Sequence, residues 1–181
     1  ALLNWAKEFS RIGPILEIGT YCGKSTLYLS KGASIQNELV YSIDHHLGSE
    51  EHQFNEEYFD EETYDFSKNR VDTFPLLIKN INDFKAKNIV PIISDSSEVA
   101  SRWSSKVGMV FIDGGHSMEA AMADYVSWEP KINHGGALVI HDIFENPNDG
   151  GQAPFEIYKK ALQSNYEIFV RVDTIVCLIK S

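Results

Sequence analysis

Acidic or polar residues stand at the ends of five apolar runs. Glu17 and Gly19 lie in "ILEIG", Asp44 ends "LVYSID", and Asp95-Ser96 follow "IVPIIS". Asp113 ends "VGMVFID", and His141-Asp142 end "GALVIHD". Carboxylates here can accept hydrogen bonds from ligand hydroxyl or ammonium groups. An imidazole can take a proton near neutral pH, so His116 and His141 are candidate bases for a bound hydroxyl. Gly114 and Gly115, just before His116, allow close backbone approach to a ligand.

The stretch "ILEIGTYCGKST" poses the question of which ligand. A glycine followed by Lys-Ser suggests a phosphate loop. That loop requires four residues between its glycines, whereas Gly19 and Gly23 enclose three. A dinucleotide turn G-x-G-x-x-G also fails, because Tyr21 and Lys24 occupy its second and third glycine positions. What survives is E-x-G-x-x-x-G, with Asp44 placed to accept both ribose hydroxyls. A ribose acid without a pyrophosphate cradle points to a nucleoside. S-adenosylmethionine fits, having a ribose, an adenine, no phosphate, and an ammonium that Glu17 or its loop can attract. Asp95 and Ser96 are placed to meet the adenine edge.

Those residues need elements to position them. Apolar positions from Leu2 to Ile12 recur at helical spacing, and Gly13-Pro14 stops that helix. Five short apolar strands then alternate with helices, which gives a parallel sheet covered on both faces. Residues 69–88 read as largely helical, with Pro75 near an end or kink. "YEIFVRVDTIVCLIK" reads as two strands with a tight turn at Asp173, adding an antiparallel strand at or near one edge. In such sheets the ligand crevice lies beyond the carboxyl ends of the strands, where the acids cluster.

Size and charge bound the function. The chain has 181 residues, enough for one domain with a sizeable core. Its 16 basic and 26 acidic residues leave a net charge of −10. That argues against a nucleic-acid partner, which needs cationic surface. No apolar run reaches the roughly 20 residues that span a bilayer, so no membrane partner is expected. The two cysteines, Cys22 and Cys177, lack zinc spacing and suit a reduced, cytoplasmic setting as packing residues. The chain begins at Ala1 without a methionine, so a preceding segment stays open.

Together, "ILEIGTYCGKSTLYLS", "VYSID", "IISDSSE", "VFIDGGHSMEAAMADYVSW" and "GGALVIHD" resemble class I S-adenosylmethionine-dependent methyltransferases. The likeness is to the small-molecule O-methyltransferase branch of macrocin and cephalosporin-pathway type, and more distantly to catechol O-methyltransferases. It covers about residues 12 to 145. It implies a Rossmann-like, doubly wound α/β sheet of seven strands in order 3-2-1-4-5-7-6, mostly parallel, with strand seven antiparallel.

Residue by residue, the resemblance assigns Glu17, Gly19, Tyr21 and Gly23 to the methionine-side loop. It assigns Asp44 to the ribose and Asp95-Ser96 to the adenine side. Ser25, His45 and Asp113 are further candidate cofactor contacts. Tyr21 stands where the commoner version has glycine, a variant familiar among catechol-type enzymes. The same relatives hold magnesium at the ends of strands four and five. Asp113, His141 and Asp142 occupy those positions, with His141 where a carboxylate is common, leaving room for another divalent cation. Such a metal would lower the pKa of the acceptor hydroxyl. Without one, His116 or His141 would take the proton.

The resemblance implies a single domain over residues 1–181 with a loop or lid insertion at about 45–68. That segment's aromatics either close over the site or tuck against the body. Eight acids crowd residues 50 to 65, read as a solvated face that disfavours anionic substrates. The expected activity is O-methylation of a small hydroxylated metabolite, sugar or phenolic. The alternatives are an N-methyltransferase, which would leave Asp113 and Asp142 idle, and a catalytically silent cofactor-binding domain. A homo-oligomer is left open.

Overall fold

The computed structural model describes every residue except Glu50, Glu51, Glu57 and His116. The candidate base His116 therefore lies outside the described residues. Helix α1 (Leu2–Phe9) leads into β1 (Ile15–Ile18), α2 (Lys24–Ala33) and β2 (Val40–Asp44). A short ladder, β3 (Tyr64–Asp65) with β4 (Arg70–Val71), precedes α3 (Phe74–Asp83). Then come β5 (Ile89–Ile93), α4 (Ser96–Arg102), β6 (Val107–Ile112), α5 (Met118–Trp128) and β7 (Ile132–Ile140). Helix α6 (Ala153–Leu162) and strands β8 (Tyr166–Val172) and β9 (Ile175–Lys180) complete the chain.

The main sheet has seven strands in order β5-β2-β1-β6-β7-β9-β8. Counting only these strands, this is the expected order 3-2-1-4-5-7-6. Strand β9 runs antiparallel to both β7 and β8, and the other pairings are parallel. The turn before β9 has Asp173 at φ 52°, the left-handed conformation that a two-residue hairpin demands.

Why these runs form central strands follows from burial. All four residues of β1 and all six of β6 are buried. Alternation sends Leu16, Val110 and Leu138 to a core shared with Tyr125, Trp128 and Ile157 of α5 and α6. Ile15, Met109, Phe111 and Val139 go to the opposite core, under Trp5, Phe9 and Leu29 of α1 and α2. Cys177 is buried in that second core, and neither cysteine is bonded to the other. After β1 the chain steps one way to β2 and β5, and later returns on the other side as β6 and β7. That reversal opens a crevice above β1 and β6.

One expectation is corrected. Helix α3 starts at Phe74 rather than near Asn69, because Arg70 and Val71 pair with Asp65 and Tyr64. Pro75 sits in the first helical turn, where its fixed φ and missing N–H are suited. The aromatics of the preceding segment pack largely on one another. Phe54, Phe59, Tyr64 and Phe66 have ring centroids 5.0–5.6 Å apart, and Phe66 stays 60% exposed.

Candidate active site

A cleft of about 630 Å³ lies at the carboxyl ends of β1, β2, β5, β6 and β7. That is room for a nucleoside and a small partner. Its floor is the turn after β1. Gly19 has φ +86°, and a Cβ there would lie 2.0 Å from the Asp113 carbonyl oxygen. The end of β1 thus presses on the end of β6 at bare backbone. Tyr21 follows at φ 48°, the left-handed conformation that explains why glycine is the commoner residue at this point.

Asp44 holds this turn. Its Oδ2 accepts the Tyr21 N–H at 2.8 Å, and its Oδ1 accepts the His46 N–H at 2.7 Å. Each oxygen keeps a further lone pair, and Asp44 lines the cleft. His45 lines it too, with Nδ1 accepting the Leu47 N–H. His46 turns away, buried with Nδ1 2.7 Å from the Thr73 hydroxyl. Tyr21 packs against His52 of the 45–68 segment at 5.2 Å between ring centroids. Both line the cleft, so that segment contributes a wall even though its other aromatics cluster apart.

Glu17 is placed differently from a loop acid. It is the third residue of β1, fully buried, and not among the residues lining the cleft. The Thr26 hydroxyl donates to its Oε2 at 2.5 Å, while Oε1 is buried without a partner. Burial pushes its carboxyl up to about 8, against the hydrogen bonds from Ser25 and Thr26. Glu17 therefore anchors the first turn of α2 from beneath, and Ser25 is the neighbour that reaches the cleft.

Asp95 and Ser96, adjacent in sequence, do separate work. Asp95 is the N-cap of α4, with Oδ1 accepting from Ser97 N and Glu98 N and from the Ser97 hydroxyl. The Ser97 hydroxyl is the main cause that holds its carboxyl below the usual range. Ser96 donates instead to Asp124 Oδ1 on α5 and accepts the Trp128 indole N–H at 3.3 Å.

Across the cleft, Asp113, His141 and Asp142 come together. His141 Nδ1 lies 3.0 Å from Asp113 Oδ1 and 3.1 Å from Asp142 Oδ1. Nδ1 is thus within ion-pair distance of both carboxylates. One donor atom from each residue lies within 4.8 Å of the others. Asp113, then Asp142, raises the imidazole to about 10. In that form the ring has no lone pair for an acceptor's proton. Asp142 adopts φ 57°, turning the chain so that consecutive side chains face the same spot.

Asp124 escaped the sequence reading. The signal was available: Ala121, Asp124, Tyr125 and Trp128 form the buried face of α5, and one acid interrupts it. Burial pushes its carboxyl up to about 6. Because the folded value exceeds the unfolded 3.8, this group favours folding below about pH 4 and loses that contribution as pH rises through 6. The neighbouring Asp95 charge adds to the rise, and the Ser96 hydroxyl opposes it. Asp124→Asn is accordingly expected to be more stable than the wild type at pH 8, by at most about 3 kcal/mol. The gap should close by pH 4, as denaturant melts at both values would show. Equal stability at pH 8 would contradict the assignment.

Comparison with known proteins agrees with this arrangement. A methyltransferase-domain family matches residues 16–143. A curated relative from Sulfurisphaera tokodaii, named a probable cobalt-precorrin-6B C(15)-methyltransferase (decarboxylating), is 28% identical over 108 residues. The match spans 60% of this chain and half the length of that relative. The O-methyltransferase NovP superposes with a TM-score of 0.72 at 12% identity, over 99% of this chain and 79% of that one. The Podospora anserina methyltransferase PaMTH1, bound to S-adenosylhomocysteine, gives 0.66 at 11%, over 99% and 76%. An rRNA methylase from Streptococcus thermophilus gives 0.58 at 11%, over 97% and 93%. At such identities these likenesses are of fold. The family match covers most of the chain and includes the turn after β1, Asp44, Asp95, Ser96, Asp113, His141 and Asp142. The chain belongs to the methyltransferase-domain family.

Proposed function

We propose that this domain is an S-adenosylmethionine-dependent methyltransferase acting on a hydroxyl of a small metabolite, sugar or phenolic, with a divalent cation at Asp113, His141 and Asp142. The observation that carries it is one cleft containing both a nucleoside-type turn and a three-donor cluster. The turn fits the cofactor. The bare backbone of Gly19 lets the turn close against the end of β6, Asp44 offers acceptors to the cleft, and Ser25 lines it beside them.

The cluster fits a cation. Two carboxylate oxygens and one imidazole nitrogen converge within 4.8 Å of one another. Magnesium suits the carboxylates, and the imidazole admits manganese or another transition metal. Bound S-adenosylmethionine would supply a methyl group on a sulfonium, and a bound cation would make the acceptor hydroxyl more acidic. The chain's own task is positioning: the β1 turn fixes one partner and the β6 and β7 ends fix the other, so that attack runs in line.

A small acceptor is favoured by the net charge of −10, which opposes a phosphate backbone. The fold alone does not choose, since an O-methyltransferase and an rRNA methylase share it. No described helix is long and apolar enough to cross a membrane. Unpaired cysteines accord with a cytoplasmic setting.

Chelation tests the cation. Methyl transfer from labelled S-adenosylmethionine to a panel of hydroxylated metabolites is expected to fall about 100-fold after metal removal, since such a cation is worth several kcal/mol. Magnesium or manganese should restore it. Full transfer after exhaustive chelation would reject the cation and leave the methyltransferase reading standing.

A further inference from the structure

We propose that Asp124 reads the base of the cofactor, its Oδ2 accepting the exocyclic amino group of adenine. The inference rests on the S-adenosylmethionine reading above and goes beyond it by naming a specificity-determining residue.

Asp124 is 9% exposed, and what remains accessible faces the cleft it lines. A carboxylate is costly to bury unless its oxygens are satisfied. Oδ1 is satisfied by the Ser96 hydroxyl. Ser96 in turn accepts the Trp128 N–H, so its single proton is committed to Asp124 and the side chain is locked. Oδ2 accepts no hydrogen bond from any described residue and lies 3.2 Å from where a Cβ on Gly114 would sit. Gly114 also lines the cleft, and without a side chain it leaves the approach to that oxygen open.

The surroundings suit a flat ring. Ala120 and Ala123 present small side chains from α5, and Ser97 faces them from the start of α4. Asp44, the candidate ribose acid, ends β2 beside β5, and α4 follows β5 directly. A base continuing from a ribose at Asp44 therefore enters between α4 and α5, where Asp124 waits. With its carboxyl at about 6, Asp124 is ionised at pH 7.5 and only accepts. Adenine presents a donor at its 6-position, which matches. Hypoxanthine presents a carbonyl there, which opposes a carboxylate.

Calorimetry at pH 7.5 with S-adenosylhomocysteine and S-inosylhomocysteine tests this. The second ligand carries a carbonyl in place of the 6-amino group. The wild type is expected to prefer the adenosyl ligand by about 10- to 100-fold, the usual worth of a hydrogen bond to a buried charge. With Ser96 still donating to its oxygen, Asp124→Asn presents an NH₂ to the base, so its preference should vanish or reverse toward the inosyl ligand. A thermal melt confirms that the variant is folded, and the wild-type ratio needs no variant. Tight adenosyl binding with a wild-type ratio near one, or a folded Asp124→Asn that keeps the wild-type ratio, overturns this assignment alone. Failure of the wild type to bind either ligand overturns it together with the cofactor reading.

Discussion

Gly19→Ala is expected to lower the melting temperature by roughly 5–15 °C and to weaken S-adenosylhomocysteine binding more than 100-fold. Two costs combine at this residue. The backbone sits at φ +86°, which costs an L-residue about 1–2 kcal/mol. The added methyl would lie 2.0 Å from the Asp113 carbonyl oxygen and 2.8 Å from Gly114 Cα. Both obstacles are backbone, so relief requires β1 and β6 to part. Overpacking of this kind costs about 1–3 kcal/mol, and a domain of this size loses about 2–4 °C per kcal/mol. The affinity suffers more than the stability because the parted strand ends are the cleft floor. Asp113 moves with them, so turnover should fall along with binding. Thermal melts and calorimetry read both effects. A variant melting within 2 °C of the wild type and binding within threefold would show that the close approach is not needed.

Asp44→Asn is expected to weaken S-adenosylhomocysteine about 100-fold while the sheet stays intact. Its two oxygens accept the backbone N–H groups of Tyr21 and His46, one each. An asparagine has one acceptor oxygen, so its NH₂ must face one of those N–H donors. One of the two turns is then released, at about 1.5–3 kcal/mol for a lost hydrogen bond to a charged group. The ribose also loses an acceptor. Asp95→Asn is the instructive control. Asparagine caps helices about as well as aspartate, and Oδ1 of Asp95 is already spent on Ser97 and Glu98. Its effect on affinity should stay within about threefold. Calorimetry on both variants separates a ligand-side acid from a helix cap. Equal losses would show that the two acids share one role.

The contrast between Asp44 and Asp95 shows what the sequence could convey. Both end apolar runs, and the alternation of strands and helices placed both at the cleft edge. Pattern does not say which lone pairs the backbone consumes. Glu17 shows the same limit from another side. Counting from Ile15 puts it inside β1, on the face that meets α2, and the strand extends one residue beyond it. Its place in the methionine-side loop came from the resemblance, whereas its side chain is buried beneath α2. Residues 70–71 were misread because their partners, Tyr64 and Asp65, lie across a turn that helical periodicity ignores. By contrast, the central parallel strands were legible because "MVFID" and "ALVIHD" are apolar on both faces, while the strand order came only with the family resemblance. The Asp113, His141 and Asp142 group was expected from the same resemblance, and the ends of the neighbouring strands β6 and β7 bring the three side chains together. Asp124 stayed hidden because one acid in a helix ordinarily faces water, and only the packed face of α5 reveals that it does not.

The most direct test of the central claim is a calorimetric titration of this chain with S-adenosylhomocysteine at pH 7.5. Saturable one-to-one binding in the wild type, lost in Gly19→Ala and strongly weakened in Asp44→Asn, is the expected result. A folded wild type that gives no saturable heat, or one whose binding survives both substitutions unchanged, would contradict the account.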